Sequence, residues 1–176
     1  MERYEYQGKA GKEIIVRHAR SSDAEDMRAE FCRVVEESKW LPILTATSRR
    51  ADWIDWIHRA IHTREFLLVA TILDSYVGHL SLQPEEWGAS QHVAKLGIIV
   101  KQEMRGHGVG RALMLAAEEV AISNNYEKII LSTFANNVAA LQLYESIGYS
   151  KVGKRLRHFK MPKGYIDEIL MEKLLQ

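Results

Sequence analysis

Cysteine is nearly missing from this chain of 176 residues. Cys32 stands alone, which excludes an internal disulfide and fits a reducing compartment. It falls on an apolar helical pattern, so it reads as a small buried hydrophobe rather than a nucleophile. Charge of one sign is also lacking: 24 basic residues meet 23 acidic ones, for a net charge of +1. That balance gives no reason to expect bulk electrostatic binding to nucleic acid or to an anionic membrane. No apolar run approaches the roughly 20 residues of a membrane span, and residues 1–12 lack the apolar core of a signal peptide. Repeats and low-complexity segments are absent, so nothing marks a domain boundary. The expectation is a soluble, cytoplasmic protein with a flexible lead-in over residues 1–12 and a single domain over 13–176. At 47% hydrophobic residues, that length can bury one substantial core.

Strand and helix patterns alternate along the chain. Glu13–Ala19 has β-branched residues at its centre and reads as a strand. Ser21–Glu25 offers a cap with acidic residues in the following turn, opening a helix to about Ser38. A loop containing Pro42 precedes a second helix, about Ala51–Thr63, with Trp53, Ile54, Trp56, Ile57, Ala60 and Ile61 at helical spacing. Glu65–Leu73 and Tyr76–Gln83 form a predicted hairpin about an Asp74–Ser75 turn. His92–Lys101, Tyr126–Phe134, Tyr149–Phe159 and Tyr165–Leu174 are further strands, with helices predicted over 108–124 and 137–147.

The most informative stretch joins the strand ending at Val100 to the helix carrying Val109, Ala112, Leu113, Ala116, Ala117 and Val120 on one face. Between them lies Arg105-Gly106-His107-Gly108-Val109-Gly110. Glycines there remove side chains where the backbone turns, and the unpaired N–H groups of a helix start favour an anion, above all phosphate. A P-loop frame fails because Arg111 stands five positions after Gly106. The dinucleotide fingerprint fails because Arg111 replaces its third glycine. Arg/Gln-x-x-Gly-x-Gly fits, filled by Arg105, Gly108 and Gly110. A second stretch, Asn137-Val-Ala-Ala140-Leu-Gln-Leu143-Tyr144-Glu-Ser-Ile-Gly148-Tyr149, places Asn137 and Tyr144 two helical turns apart on one face. Taken alone, Asn137 reads equally as a helix cap and Tyr144 as a core aromatic.

Together, and in this order, the two stretches resemble the acetyl-CoA motif and the Asn-x-x-Ala-x-x-Leu-Tyr-x-x-x-Gly-Phe pattern of the GNAT N-acetyltransferases. Tyr149 replaces the final Phe, and the resemblance covers about residues 14–174. It implies an α/β fold with a central, mixed, mostly antiparallel sheet flanked by helices. The sheet would splay between the predicted fourth and fifth strands, 92–101 and 126–134. The backbone of Ile98, Ile99 and Val100 would pair with the pantetheine arm. The turn of Gly106, His107, Gly108, Val109, Gly110 and Arg111 would take the pyrophosphate, Asn137 would contact the cofactor arm, and Arg105, the first residue of the motif, would be a cofactor-binding residue. Tyr144 would stand near the thioester sulfur as general acid, a role that a hydroxyl of pKa about 10 can fill towards a thiolate of pKa about 8.5. The implied reaction is direct attack of an amine on acetyl-CoA, with no acetyl-enzyme and no metal.

The general base stays unassigned. In ribosomal-protein N-terminal acetyltransferases of this family a glutamate stands five residues before the motif asparagine; here that residue is Ser132, so the role does not carry over. Glu85, Glu86 and His92 are the alternatives near the entry to the strand. At pH 7 about one α-amine in six to eleven is already neutral, against about one lysine-type amine in 2,500, so a site without a strong base suits an α-amine. The acceptor is expected to be a small amine or a protein N-terminus. Polyamine or amino-acid and xenobiotic-amine acceptors are the rivals, and a non-catalytic acyl-CoA-binding module is the alternative from another class. Asp167 and Glu168 either line a polyamine cleft or orient a strand end. Trp40, Trp53 and Trp56 are core or acceptor-side aromatics. His58 and His62 have a metal-compatible spacing without the glutamate of His-Glu-x-x-His. A homodimer is common in the family, though no stretch here marks an interface.

Overall fold

Leu67, Leu68, Val69 and Ala70 follow one another in a strand, and all four are buried. Successive strand residues point to opposite faces, so such a run must be covered on both sides. Leu67 and Val69 pack with Met27, Trp53 and Ile57, while Leu68 and Ala70 pack with Val109, Leu113 and Ala117. The computed structural model, which describes residues 3–175, is a sheet with a helical layer on each face.

The elements in chain order are β1 (Arg3–Gln7), β2 (Glu13–His18), α1 (Ala24–Glu36), α2 (Arg50–Ile61), β3 (Phe66–Ile72), β4 (Ser75–Pro84), β5 (Val93–Val100), α3 (Val109–Ser123), β6 (Lys128–Phe134), α4 (Val138–Ser146), β7 (Ser150–Met161) and β8 (Gly164–Leu174). They form one eight-stranded sheet in the order β1-β2-β3-β4-β5-β6-β8-β7. Every neighbouring pair is antiparallel except β5 and β6, which α3 connects as a parallel pair. Helices α1 and α2 cover one face, and α3 and α4 pack into the core of the other.

The parallel pair is short. Val93, Ala94 and Lys95 face Lys128, Ile129 and Ile130, and the ladder ends there. On its other side β5 stays paired with β4 as far as Val100, opposite Gly78. Residues 96–100 therefore turn one backbone edge towards no strand. This is the expected splay, between β5 and β6 in the observed numbering.

Two expectations need correction. Residues 3–12 are not a loose lead-in: β1 pairs with β2 from Arg3↔Arg17 to Gln7↔Glu13, and a 3-10 turn follows over Lys9–Gly11. Tyr4 and Tyr6 lean on the core while Arg3, Glu5 and Gln7 face solvent. A five-residue alternation with only two apolar members is too short to stand out by period. The β3–β4 turn falls one residue earlier than expected, on Leu73 and Asp74, with φ of 48° and 59°. Positive φ at both positions is the tight hairpin geometry that matches strand twist, and here an exposed leucine adopts it.

The α3 side of the sheet carries much of the burial. Leu113→Ala is expected to lower stability by about 3 kcal/mol. Leu156→Ala, at an exposed β7 position, is expected to change it by less than about 0.5 kcal/mol. Urea denaturation of the two variants beside the parent checks both values.

Candidate active site

The glycine turn follows directly from the free end of β5. Gly106 and Gly108 have φ of 76° and 96°, in the left-handed region that favours glycine. The first N–H of α3 to bond back is that of Ala112, onto Gly108 O at 3.0 Å. The N–H groups of Val109, Gly110 and Arg111 precede it, at the positive end of the helix. Gly110 serves packing as well: a Cβ there would lie 3.0 Å from Leu143 Cδ2, so it lets α4 approach α3. From outside, Lys9 N–H donates to His107 O at 3.0 Å, and a Cβ on Gly8 would come within 2.9 Å of that same oxygen. The N-terminal segment thus braces the turn, a contact with no sequence signal.

Arg105 is engaged within the fold. Its guanidinium forks onto Glu37 just past the end of α1, with Nη1 to Oε2 at 2.8 Å, and its Nε donates to Val100 O at 3.2 Å. Glu37 also accepts the indole N–H of Trp40. The arginine side chain joins the end of α1 to the end of β5. Its hydrogen bonds and charge hold the Glu37 carboxyl below the usual carboxylate range against some burial.

Asn137 is the N-cap of α4, its Oδ1 accepting from Ala140 N–H at 3.3 Å. Tyr144, seven residues on, is buried, and burial pushes its hydroxyl up to about 12. That hydroxyl has no hydrogen-bond partner among the described residues. It is not one of the fully enclosed orphans, which are Tyr149 Oη and Glu118 Oε1. A protonated, unpaired phenol with access to open space is able to donate.

On the α1–α2 side, a cavity of about 440 Å³ opens against β5. Gly97, Ile98 and Ile99 form its floor, Phe31, Trp53 and Trp56 its aromatic walls, and Leu41, Ile43 and Ser48 of the loop before α2 close it further. Trp53 and Trp56 therefore line the cavity, while Trp40 stays with Glu37. Asp52 and Arg59 are its charged lining residues. His79 of β4 reaches it too, 5% exposed, with its Nδ1 2.5 Å from the Tyr76 hydroxyl. Burial draws the imidazole down to about 3, so it is neutral near pH 7. Sequence reading passed over His79: one histidine in an apolar strand has no pattern, and only the pairing with Ile99 of β5 brings it to the cavity.

The weak base candidates lie elsewhere. His92 is five residues before Gly97, about 17 Å along the strand, and Glu85 and Glu86 follow the end of β4 beside it. None lines the cavity. Ser132 is exposed on β6, opposite Leu170. Asp167 and Glu168 orient the β7–β8 hairpin through Lys154 and Arg155. His58 bonds to Ser21 Oγ at 2.8 Å, and no group of three metal-binding side chains occurs among the described residues. No helix there is long and apolar enough to cross a membrane.

Residues 27–149 match the family model described as Acetyltransferase (GNAT) family. The chain belongs to that family. The L-amino acid N-acetyltransferase AaaT of Escherichia coli is 26% identical over 92% of this chain and 98% of its own. Human N-acetylaspartate synthetase is 33% identical over 53% of this chain and 30% of its own. Among solved structures, the ribosomal-protein-alanine N-acetyltransferase of Brucella melitensis superposes with a TM-score of 0.84 at 25% identity, covering 91% of this chain and 99% of that one. YncA of Salmonella typhimurium, solved with its cofactor acetyl-CoA, has a TM-score of 0.87 at 15% identity, over 93% and 94%. The GNAT assignment makes the protein an N-acetyltransferase, and the family's acetyl donor is acetyl-CoA.

The Glu37–Arg105 pair has a pH signature. Because the folded carboxyl is depressed, its stabilisation is complete above the unfolded value of about 4.3 and fades as pH falls through the lower folded value. Glu37→Gln is expected to lower stability by about 1 kcal/mol at pH 7. The gap to the parent should close below about pH 4, as thermal melts across pH 3–8 would reveal.

Proposed function

We propose that this GNAT enzyme acetylates the α-amine of a small free acceptor of the amino-acid kind. The observation that carries the reading is the position of the 440 Å³ cavity. It shares Gly97–Ile99 with the unpaired edge of β5, so one strand faces both an extended donor and a small acceptor. A cavity of this size suits a single small molecule, and its relative AaaT is an L-amino acid N-acetyltransferase.

The donor fits the residues around the splay. The free backbone edge at 96–100 can pair with an amide-bearing arm, and the side-chain-free turn at 106–110 can meet a diphosphate with the N–H groups of Val109, Gly110 and Arg111. In this reading Arg105 contributes by fixing the end of β5, and Asn137 by capping the helix that presents Tyr144. Acetyl-CoA supplies the activated acyl group. The amine attacks the thioester carbon, the C–N bond forms, and the C–S bond breaks. Tyr144 gives its proton to the departing sulfur and recovers one from the amine through solvent. Its raised pKa keeps it protonated throughout the working range.

Tyr144→Phe is expected to leave acetyl-CoA affinity within a few-fold by calorimetry and to lower turnover about 10²–10⁴-fold. In thiol-release assays the parent should prefer free amino acids to polyamines, lysine peptides and peptides with free N-termini. Preference for polyamines or peptides would reject the acceptor assignment. Unchanged turnover in Tyr144→Phe would reject the acid.

A further inference from the structure

His79 enters the cavity from the middle of β4, paired with Ile99 and two residues from Ser81, which pairs with Gly97. Tyr76 is buried, and its hydroxyl has no other hydrogen-bond partner among the described residues. The contact between Tyr76 Oη and His79 Nδ1 can be made in two ways. If the imidazole donates, the phenol proton is left buried without an acceptor, which carries that group's full desolvation penalty. If Tyr76 donates, its hydroxyl and the ring's Nδ1 are both satisfied, and the single proton of the neutral ring lies on Nε2, which has no partner among the described residues. The second arrangement wins. Burial of the ring disfavours the cation, so Nε2–H stays a neutral donor.

A donor of this kind cannot take a proton from an ammonium. Its complement is an oxygen, and an anionic oxygen best of all. We propose that His79 Nε2–H binds the α-carboxylate of the acceptor and so restricts the enzyme to amines that carry one. This rests on the reading of the cavity as the acceptor site. Arg59 supports it as the cavity's cation, since its exposed 3.7 Å contact with Glu65 is weak enough to share. Asp52, the cavity's carboxylate, is occupied by the backbone and side chain of Arg49. Phe31 and Trp53 leave an apolar wall for the acceptor's side chain. His79 thus becomes a specificity-determining residue, and Tyr76 the positioning residue that fixes its tautomer.

The test compares leucine with isopentylamine, the same side chain and amine without the carboxylate. The parent should use leucine with kcat/KM at least about 10-fold higher, the lower worth of a charge-assisted hydrogen bond. His79→Phe keeps the ring and removes the donor. It should raise KM for leucine about 10–100-fold while isopentylamine kinetics move less than about 3-fold. His79→Gln restores an N–H at similar reach and should recover part of the leucine preference; Tyr76→Phe, which frees the tautomer, should lose part of it. Equal use of both amines by the parent overturns the proposal. So does an equal loss for both in His79→Phe, which would place the donor on the thioester carbonyl instead. If no amine is turned over, the functional reading fails by itself, and binding decides the rest. Trp53 lies in edge contact with His79, centroids 5.6 Å apart, so its fluorescence can report occupancy in the presence of coenzyme A. Tighter binding of leucine than of isopentylamine, lost in His79→Phe, upholds the carboxylate contact. Equal or undetectable binding overturns it.

Discussion

Three residue pairs hold β5 to β6, and the ladder then stops. The proposed donor and acceptor sites both stand around that interruption. Backbone N–H and C=O groups inside a protein need partners, and an unpaired strand edge invites a further strand. Here the edge lies within the sheet, between β5 and β6. In the function proposed above, strand addition, elsewhere a hazard, serves ligand recognition. The glycine turn follows the free end of β5 directly, and Gly110 within it packs against Leu143 of α4, the residue before Tyr144.

The frame around the opening is braced from two directions that are distant in sequence. The 3-10 turn after β1 holds His107 O through Lys9 N–H. Arg105 ties the far end of β5 to Glu37, and through Glu37 to Trp40. The segment from Glu37 to Arg49 in turn supplies Leu41, Ile43 and Ser48 to the cavity proposed to hold the acceptor. The arginine of the glycine motif therefore stands between the two halves of the site. Its ion pair is partly buried on both sides, where screening is weaker than on open surface.

Much of this was legible because the periods were long or the spacing strict. The 15 residues of α3 and the repeated apolar positions of β3 and β5 left little choice of element, and the two glycine-containing motifs marked the turn into α3 and the whole of α4. What escaped depended on contacts across many residues. β1 carries only Tyr4 and Tyr6 as apolar signals. The bond from Lys9 to His107 spans about a hundred residues with no side chain involved. Arg105 has the right identity for its motif, but only the fold brings Glu37 beside it. His79 is one polar residue in an apolar strand, and its meaning comes from the register of β4 against β5 and from Tyr76 three residues earlier. Glu85, Glu86 and His92 are near β5 in sequence, yet a strand's length separates them from the cavity floor.

The two cores on opposite faces of the sheet have a bearing on how such a protein can change. The proposed donor side relies on α3, α4 and the glycine turn, while the proposed acceptor side is built from α1, α2 and the loop before α2. A sheet lies between them, so substitutions in the two layers rarely share a neighbour and their energetic effects should combine nearly independently. Acceptor preference can then drift, or be redesigned, by altering one layer while donor chemistry is inherited intact. The Glu37–Arg105 strut is the exception, the point at which a change made for a new acceptor would be felt by the donor.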